Sequence, residues 1–215
     1  AVADFLGMFS WNGISEASLQ QGCSGFGKMR HDDTRLSPSF SIAEDFTSGL
    51  VPKFNSNGET SPDVLPLIQD GELKNTLISS RTAAEYGAKT NYAEGDEYLR
   101  SPRMDSGHLS QDDVLSFLDK GLYLSNIHYL NWSDNPGGRI TGLTRYACFW
   151  VENGEIQAPI KTMRFDDTFY RFFGNELEAV GSSTELIPEV QTYGGRNMGG
   201  TVCPGILASS FSLTL

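Results

Sequence analysis

Two dipeptides constrain this chain more than any other feature: Asp70-Gly71 and Asn153-Gly154, each set between apolar-rich arms. The first closes Val64-Leu-Pro-Leu-Ile-Gln-Asp-Gly-Glu-Leu-Lys-Asn-Thr-Leu-Ile78. The second closes Tyr146-Ala-Cys-Phe-Trp-Val-Glu-Asn-Gly-Glu-Ile-Gln-Ala-Pro-Ile-Lys161. Both dipeptides tolerate positive φ at the two central turn positions, and that geometry matches the twist of paired antiparallel strands. A chain with two such turns is committed to hairpins. Pro66 and Pro159 lack an N–H, so each is expected at a strand end, a bulge or an edge. The 23 glycines, 13 Phe, 8 Tyr and 3 Trp describe many short elements joined by tight turns around an aromatic interior.

Helical signals are interspersed. Val2, Phe5, Leu6 and Phe9 follow the i, i+3, i+4, i+7 spacing of a helix face. The run has no N-cap residue before it, so the chain reads as part of a longer protein. Residues 79–87 form a short helix with serine at the N-cap and Gly87 at its end. Residues 110–121 carry a Ser-x-x-Asp variant of the capping box, an apolar face of Val114, Leu115 and Leu118, and Gly121 as a stop. Residues 166–181 are expected as a third helix, with Phe169, Phe172, Phe173, Leu177 and Val180 on one stripe and Gly174 weakening its middle. Residues 122–130 and 206–215 read as strands, and residues 90–108 and 193–200 as surface loops. The class is α+β: an antiparallel sheet of hairpins, with barrel-like closure as one option, and a few short helices between the strands.

Charge and composition narrow the function. With 16 Lys+Arg against 27 Asp+Glu the net charge is −11, which repels phosphate backbones and counts against a nucleic-acid partner. No run approaches the ~18 apolar residues of a membrane-spanning helix. Cys23, Cys148 and Cys203 are an odd count without a Cys-x-x-Cys, against both a disulfide framework and a zinc ribbon, and they fit a reducing compartment. His31, His108 and His128 share no helical i, i+4 spacing, so no His-Glu-x-x-His zinc helix exists within these residues. Gly22-Cys-Ser-Gly-Phe-Gly27 has the wrong spacing for a nucleophile elbow and reads as a glycine turn. Asp96, Glu97, Asp105, Asp112 and Asp113 read as solvated surface. Cys148 reads as a small buried hydrophobe, whereas glycines on both sides of Cys203 could leave its thiol accessible.

The order of signals resembles the C-terminal region of the TldD/PmbA family. It runs Gly121-Leu-Tyr-Leu, Ile140-Thr-Gly-Leu, Phe149-Trp-Val-Glu-Asn-Gly-Glu-Ile-Gln-Ala-Pro-Ile160 and Leu177-Glu-Ala-Val-Gly181. Upstream, Phe54-Asn-Ser-Asn-Gly58, Leu67-Ile-Gln-Asp-Gly-Glu-Leu73 and Thr82-Ala-Ala-Glu-Tyr-Gly87 fit in the same order, with the Trp-Val-Glu-Asn-Gly-Glu-Ile element the most specific. The resemblance implies a cytoplasmic protein of a family first described as modulators of DNA gyrase and understood as peptide-maturing and peptide-degrading metalloproteases. It implies that residues 1–215 are a single C-terminal domain whose N-terminal part lies upstream. In the TldD branch, zinc is held by two histidines of a helix and a cysteine near the C-terminus. Aligned on that motif, Asp4 stands where the second histidine would be and Cys203 near the cysteine position.

Asp4 and Cys203 are therefore the candidate metal residues implied by the resemblance. One thiolate without two imidazoles holds zinc poorly, since such sites use three or four protein ligands. The expectation is a PmbA/TldE-like, non-catalytic subunit with no cofactor of its own. Zinc would sit in a TldD-like partner, and the substrate would be an extended peptide. Two alternatives stay open: an active metalloprotease using an atypical ligand set with Asp4 and Cys203, or a non-enzymatic homodimerisation module.

Overall fold

The structure is a computed structural model that describes residues 1–192 and 195–214. The expected loop at 193–200 and the last residue of the expected closing strand thus lie partly outside the described residues. Helix α1 (Val2–Met8) buries Phe5, Leu6 and Met8, with Phe9 buried just beyond it. That is the face set by the apolar spacing. Short helices α2 (Glu16–Gln20) and α3 (Gly27–His31) follow; their apolar positions are too few to show a period in the sequence.

Helix α4 (Ser80–Tyr86) has the expected boundaries, because the Ser79 hydroxyl accepts the Thr82 N–H and Gly87 closes the helix at φ 69°. The 110–121 segment is shorter than expected. A 3₁₀ turn (Gln111–Asp113) leads into α5 (Val114–Leu118), which ends at Asp119 with φ 50°. Gly121 opens a strand instead of stopping the helix.

The expected helix over 166–181 is not formed. Strand β8 (Arg164–Thr168), a helical turn (Arg171–Asn175) and β9 (Leu177–Val180) occupy it. Gly174 lies at φ −108°, ψ −115°, outside the helical region, so the chain turns there. The stripe remains buried because Phe169, Phe172 and Phe173 point inward from the turn after β8, and Leu177 and Val180 do so from β9.

The remaining strands are β1 (Ile42–Asp45), β2 (Val64–Gln69), β3 (Glu72–Leu73), β4 (Pro102–Met104), β5 (Gly121–Asp134), β6 (Arg139–Glu152), β7 (Glu155–Pro159), β10 (Glu185–Pro188), β11 (Gly200–Cys203), β12 (Ile206–Ala208) and β13 (Leu213–Thr214). One sheet runs β10-β11-β4-β1-β2-β3, and a second runs β13-β8-β6-β5 with β7 also on β6. Strands β12 and β9 pair separately. Among the described residues the pairings between these strands are antiparallel except β11 with β4, and neither sheet closes into the barrel-like form. The expected closing strand over 206–215 is two strands in different sheets.

Both hairpin turns have the expected geometry, with φ 51° and 76° at Asp70 and Gly71 and 54° and 72° at Asn153 and Gly154. Pro66 falls beside the irregularity where β1 shifts register against β2, and Pro159 ends β7. Strands β5 and β6, 14 residues each, form a long hairpin whose bulges place exposed Tyr129 and Tyr146 at positive φ.

The core is a cluster of phenylalanine rings. Phe5 lies 4.5 Å from Phe172, and Phe9 lies 4.8 Å from Phe26 and 5.3 Å from Phe169. Phe40 meets Phe173 at 4.5 Å. These edge and tilted contacts suit the ring quadrupole and seal α1 between the two large sheets.

Candidate functional site

The two residues singled out for metal binding come from opposite ends of the chain and lie near enough for the Asp4 charge to act on the Cys203 thiol. Strand β11 packs beside α1, and the Ala3 N–H points at the Cys203 sulfur. Asp4 faces outward from the first turn of α1, its carboxylate 3.4 Å from the Ala1 amine. Glu185 is the cross-strand partner of Cys203 on β10. The Ala1 amine also donates to the Ser125 carbonyl of β5 at 2.7 Å, so α1, β5 and β11 converge here.

The thiol of Cys203 is buried, contrary to the accessibility that its glycine neighbours suggested, because β10 and α1 cover it. Burial pushes its pKa up to about 11, and the carboxylates of Glu185 and Asp4 push the same way against the Ala3 N–H. A zinc ligand has to be a thiolate, and this setting holds the proton on sulfur.

No imidazole reaches the place. His31 ends α3 and is exposed, His108 is exposed before the Ser110 turn, and His128 stacks on Tyr129 in β5. Among the described residues no group of three His, Cys, Asp or Glu side chains is arranged to hold a metal ion. The residues present therefore do not fit zinc.

Other candidates have structural roles. Ser24 is buried, donating to the Gly13 carbonyl and accepting the Phe26 N–H, which makes the glycine-rich segment a rigid turn. Cys148 is buried in β6 as expected. Asp96, Asp105, Asp112 and Asp113 are exposed, but Glu97 is 1% exposed and departs from the solvated reading. Its carboxylate accepts from the Ser15 hydroxyl at 2.7 Å, the Ala17 N–H at 3.0 Å and the Ser79 N–H at 2.8 Å, tying the 87–99 loop to the starts of α2 and α4.

Two further buried carboxylates carried no sequence signal. Glu16 accepts from Arg30 at 2.7 Å, from Gln20 at 2.8 Å and from Thr76. Burial raises its pKa, but these partners outweigh burial and leave it lowered. Glu44 accepts the Arg100 and Ser101 N–H groups at 3.0–3.3 Å; here burial wins and raises its pKa to about 7. Only the tertiary fold, which brings these donors from distant segments, distinguishes such residues from ordinary surface glutamates.

Strand β5 is an outer strand of its sheet and β10 of the other, and β10 is exposed along its whole length. No helix among the described residues is long and apolar enough to cross a membrane.

Comparison with known proteins agrees with this architecture. The Metalloprotease PmbA of Escherichia coli O157:H7 is 28% identical over 138 residues, 60% of this chain and 29% of that protein. A protein described as a candidate modulator of a DNA gyrase from Thermotoga maritima superposes with TM-score 0.77 at 18% identity, covering 100% of this chain and 47% of that one. TldE from Thermococcus kodakarensis gives TM-score 0.71 at 16% identity, with 98% and 48% covered. The structural likenesses establish a shared fold, and this chain spans less than a third of the curated relative and less than half of each solved chain. Residues 1–215 match as a whole the profile described as the PmbA/TldA metallopeptidase C-terminal domain, and the chain belongs to that family.

Proposed function

We propose that this chain is the C-terminal domain of a longer, cytoplasmic PmbA/TldE-like subunit that carries no hydrolytic centre of its own. In this reading it works with a TldD-like metalloprotease subunit, which supplies the zinc, on unfolded peptides. One observation supports the reading: the Cys203 thiol is buried and holds its proton, and among the described residues no group of three potential ligands gathers to hold a metal. The chain's own contribution is then to shape the chamber and to offer strand edges. The exposed N–H and C=O groups of an outer strand such as β10 bind an extended peptide by strand addition, without regard to its side chains.

Metal analysis and peptidase assay of the full-length protein test this, alone and with a TldD-like partner. The expected result is less than stoichiometric zinc and no activity alone, with activity in the complex. Tightly bound zinc at one per chain and peptidase activity without a partner would refute it. The proximity of Asp4 to Cys203 favours one second reading, an atypical metal site using both. In that case Cys203→Ser would abolish metal content. Size-exclusion chromatography with and without the partner separates both readings from a homodimerisation module.

A further inference from the structure

Helix α5 is firmly held and yet contributes nothing to the core. Val114, Leu115, Phe117 and Leu118 make it almost wholly apolar, but no residue of it is buried and none joins the phenylalanine cluster. Its position is fixed by other means. The Ser110 hydroxyl accepts the Asp112 N–H at 3.3 Å, and the Ser116 hydroxyl donates to the Asp113 carbonyl at 2.8 Å. The tip of the β6–β7 hairpin holds its other end, where the Gly154 N–H donates to the Asp119 carbonyl at 2.9 Å. A Cβ on Gly154 would lie 3.2 Å from the Ser116 Cα, so the missing side chain lets the tip come this close.

Two apolar side chains project from this platform. Phe117 is 64% exposed, and Ile156, just past Gly154 on β7, is 48% exposed. Strand β7 touches α5, is exposed along its whole length and pairs with β6 alone among the described residues. Single exposed apolar residues are ordinary. A ring and a branched side chain displayed together by an anchored helix and an outer strand mark a contact surface.

The rim of the surface selects its partner. Asp112, Asp113 and Asp119 flank α5 and Glu155 opens β7; all are exposed, and none is ion-paired among the described residues. Asp113 stands one turn before Phe117, on the same side of the helix. Lys120, the one cation of the 110–121 segment, is held by Glu152 at 2.9 Å and lies 5.8 Å from the centre of the Trp150 ring. A second copy docked here across a two-fold axis would set these carboxylates against their own equivalents, and like charges oppose binding. A partner with lysine or arginine around an apolar anchor gains at both the centre and the rim.

We propose that α5 and the start of β7 dock the TldD-like subunit, receiving from it an apolar side chain flanked by lysine or arginine. The proposal rests on the reading that this chain works with such a subunit. Phe117 and Ile156 form the dry centre of the contact, and the carboxylates around them steer its approach.

Binding of the full-length protein to the TldD-like subunit, measured by calorimetry at low and high salt, tests this. Phe117→Ala should weaken Kd about tenfold or more, as loss of a central aromatic anchor does. Asp113→Lys should weaken it about tenfold at low salt and much less at high salt, where the charges are screened. Both side chains are exposed, so the fold does not depend on them. An unchanged Kd in both variants would overturn the proposal and leave the functional reading intact. So would an equal loss in Tyr129→Ala, whose ring is exposed on β5. Two other outcomes name a different occupant and also overturn it. If Phe117→Ala lowers the unfolding midpoint but not the affinity, an upstream part of the same chain covers the patch; if it dissolves a homodimer, a second copy does. Absence of any complex with the wild-type protein would remove the proposal together with the reading beneath it.

Discussion

The two halves of this domain are held by different physics. Around α1, phenylalanines from five separate segments interlock, and stability there is a matter of area and shape. Along the six-stranded sheet, loops are held by the buried carboxylates Glu16, Glu44 and Glu97, each gathering donors from segments up to 82 residues away. Removing a ring leaves a hole that neighbours partly fill, while removing a carboxylate strands several N–H groups at once. The first half tolerates variation in hydrophobic residues of similar size. The second tolerates little, because each donor needs that particular acceptor.

The largest effect should come from the aromatic half. Phe173→Ala removes a ring in contact with Phe5, Phe9, Phe40 and Phe172 and should cost about 3–5 kcal/mol in denaturant unfolding. A loss below ~1 kcal/mol would mean that the rings are not close-packed. Next, Glu97→Ala should cost about 2–3 kcal/mol, with added protease cleavage confined to residues 87–99. If cleavage instead spreads over the whole domain, the carboxylate half is not a separate mechanical unit.

The pH dependence should split Glu44 from Glu16. Glu44 binds its proton more tightly folded than unfolded, so its contribution falls as pH rises from about 4.5 to about 7 and then levels. The pKa of Glu16 is lowered, so its contribution is complete above 4.5 and is lost as pH falls through its folded value. Unfolding midpoints measured from pH 3 to 8 should therefore flatten on the neutral side in Glu44→Gln and on the acid side in Glu16→Gln. Gly71→Ala should cost about 1–2 kcal/mol, since φ 76° disfavours a side chain and the new Cβ would meet the Leu36 carbonyl. Arg139→Ala, which breaks an exposed pair with Asp166, should change stability by less than ~1 kcal/mol.

The same division explains what the sequence could reveal. Hairpin tips at Asp70-Gly71 and Asn153-Gly154, the α4 caps at Ser79 and Gly87 and the α1 face are local, and local chemistry decides them. The 166–181 segment misleads because its phenylalanines fit a helical stripe, yet Gly174 breaks the backbone and a short turn buries the same rings. The family pattern links Asp4 with Cys203, and the packing of β11 on α1 brings their two elements together. The burial of Cys203 was hidden because β10 and α1 supply the cover from elsewhere in the chain. Glu44 and Glu97 sit in unexceptional surroundings, and only long-range contacts make acceptors of them.

The aromatic seal around α1 also bears on synthesis. Phe5 and Phe9 leave the ribosome ahead of the rings that cover them, since Phe165, Phe169, Phe172 and Phe173 come more than 150 residues later. At roughly 5–20 residues per second the nascent helix shows an uncovered aromatic face for about ten seconds or more. Holdase chaperones that cradle such faces during translation would thus have their strongest claim on this domain at its first helix.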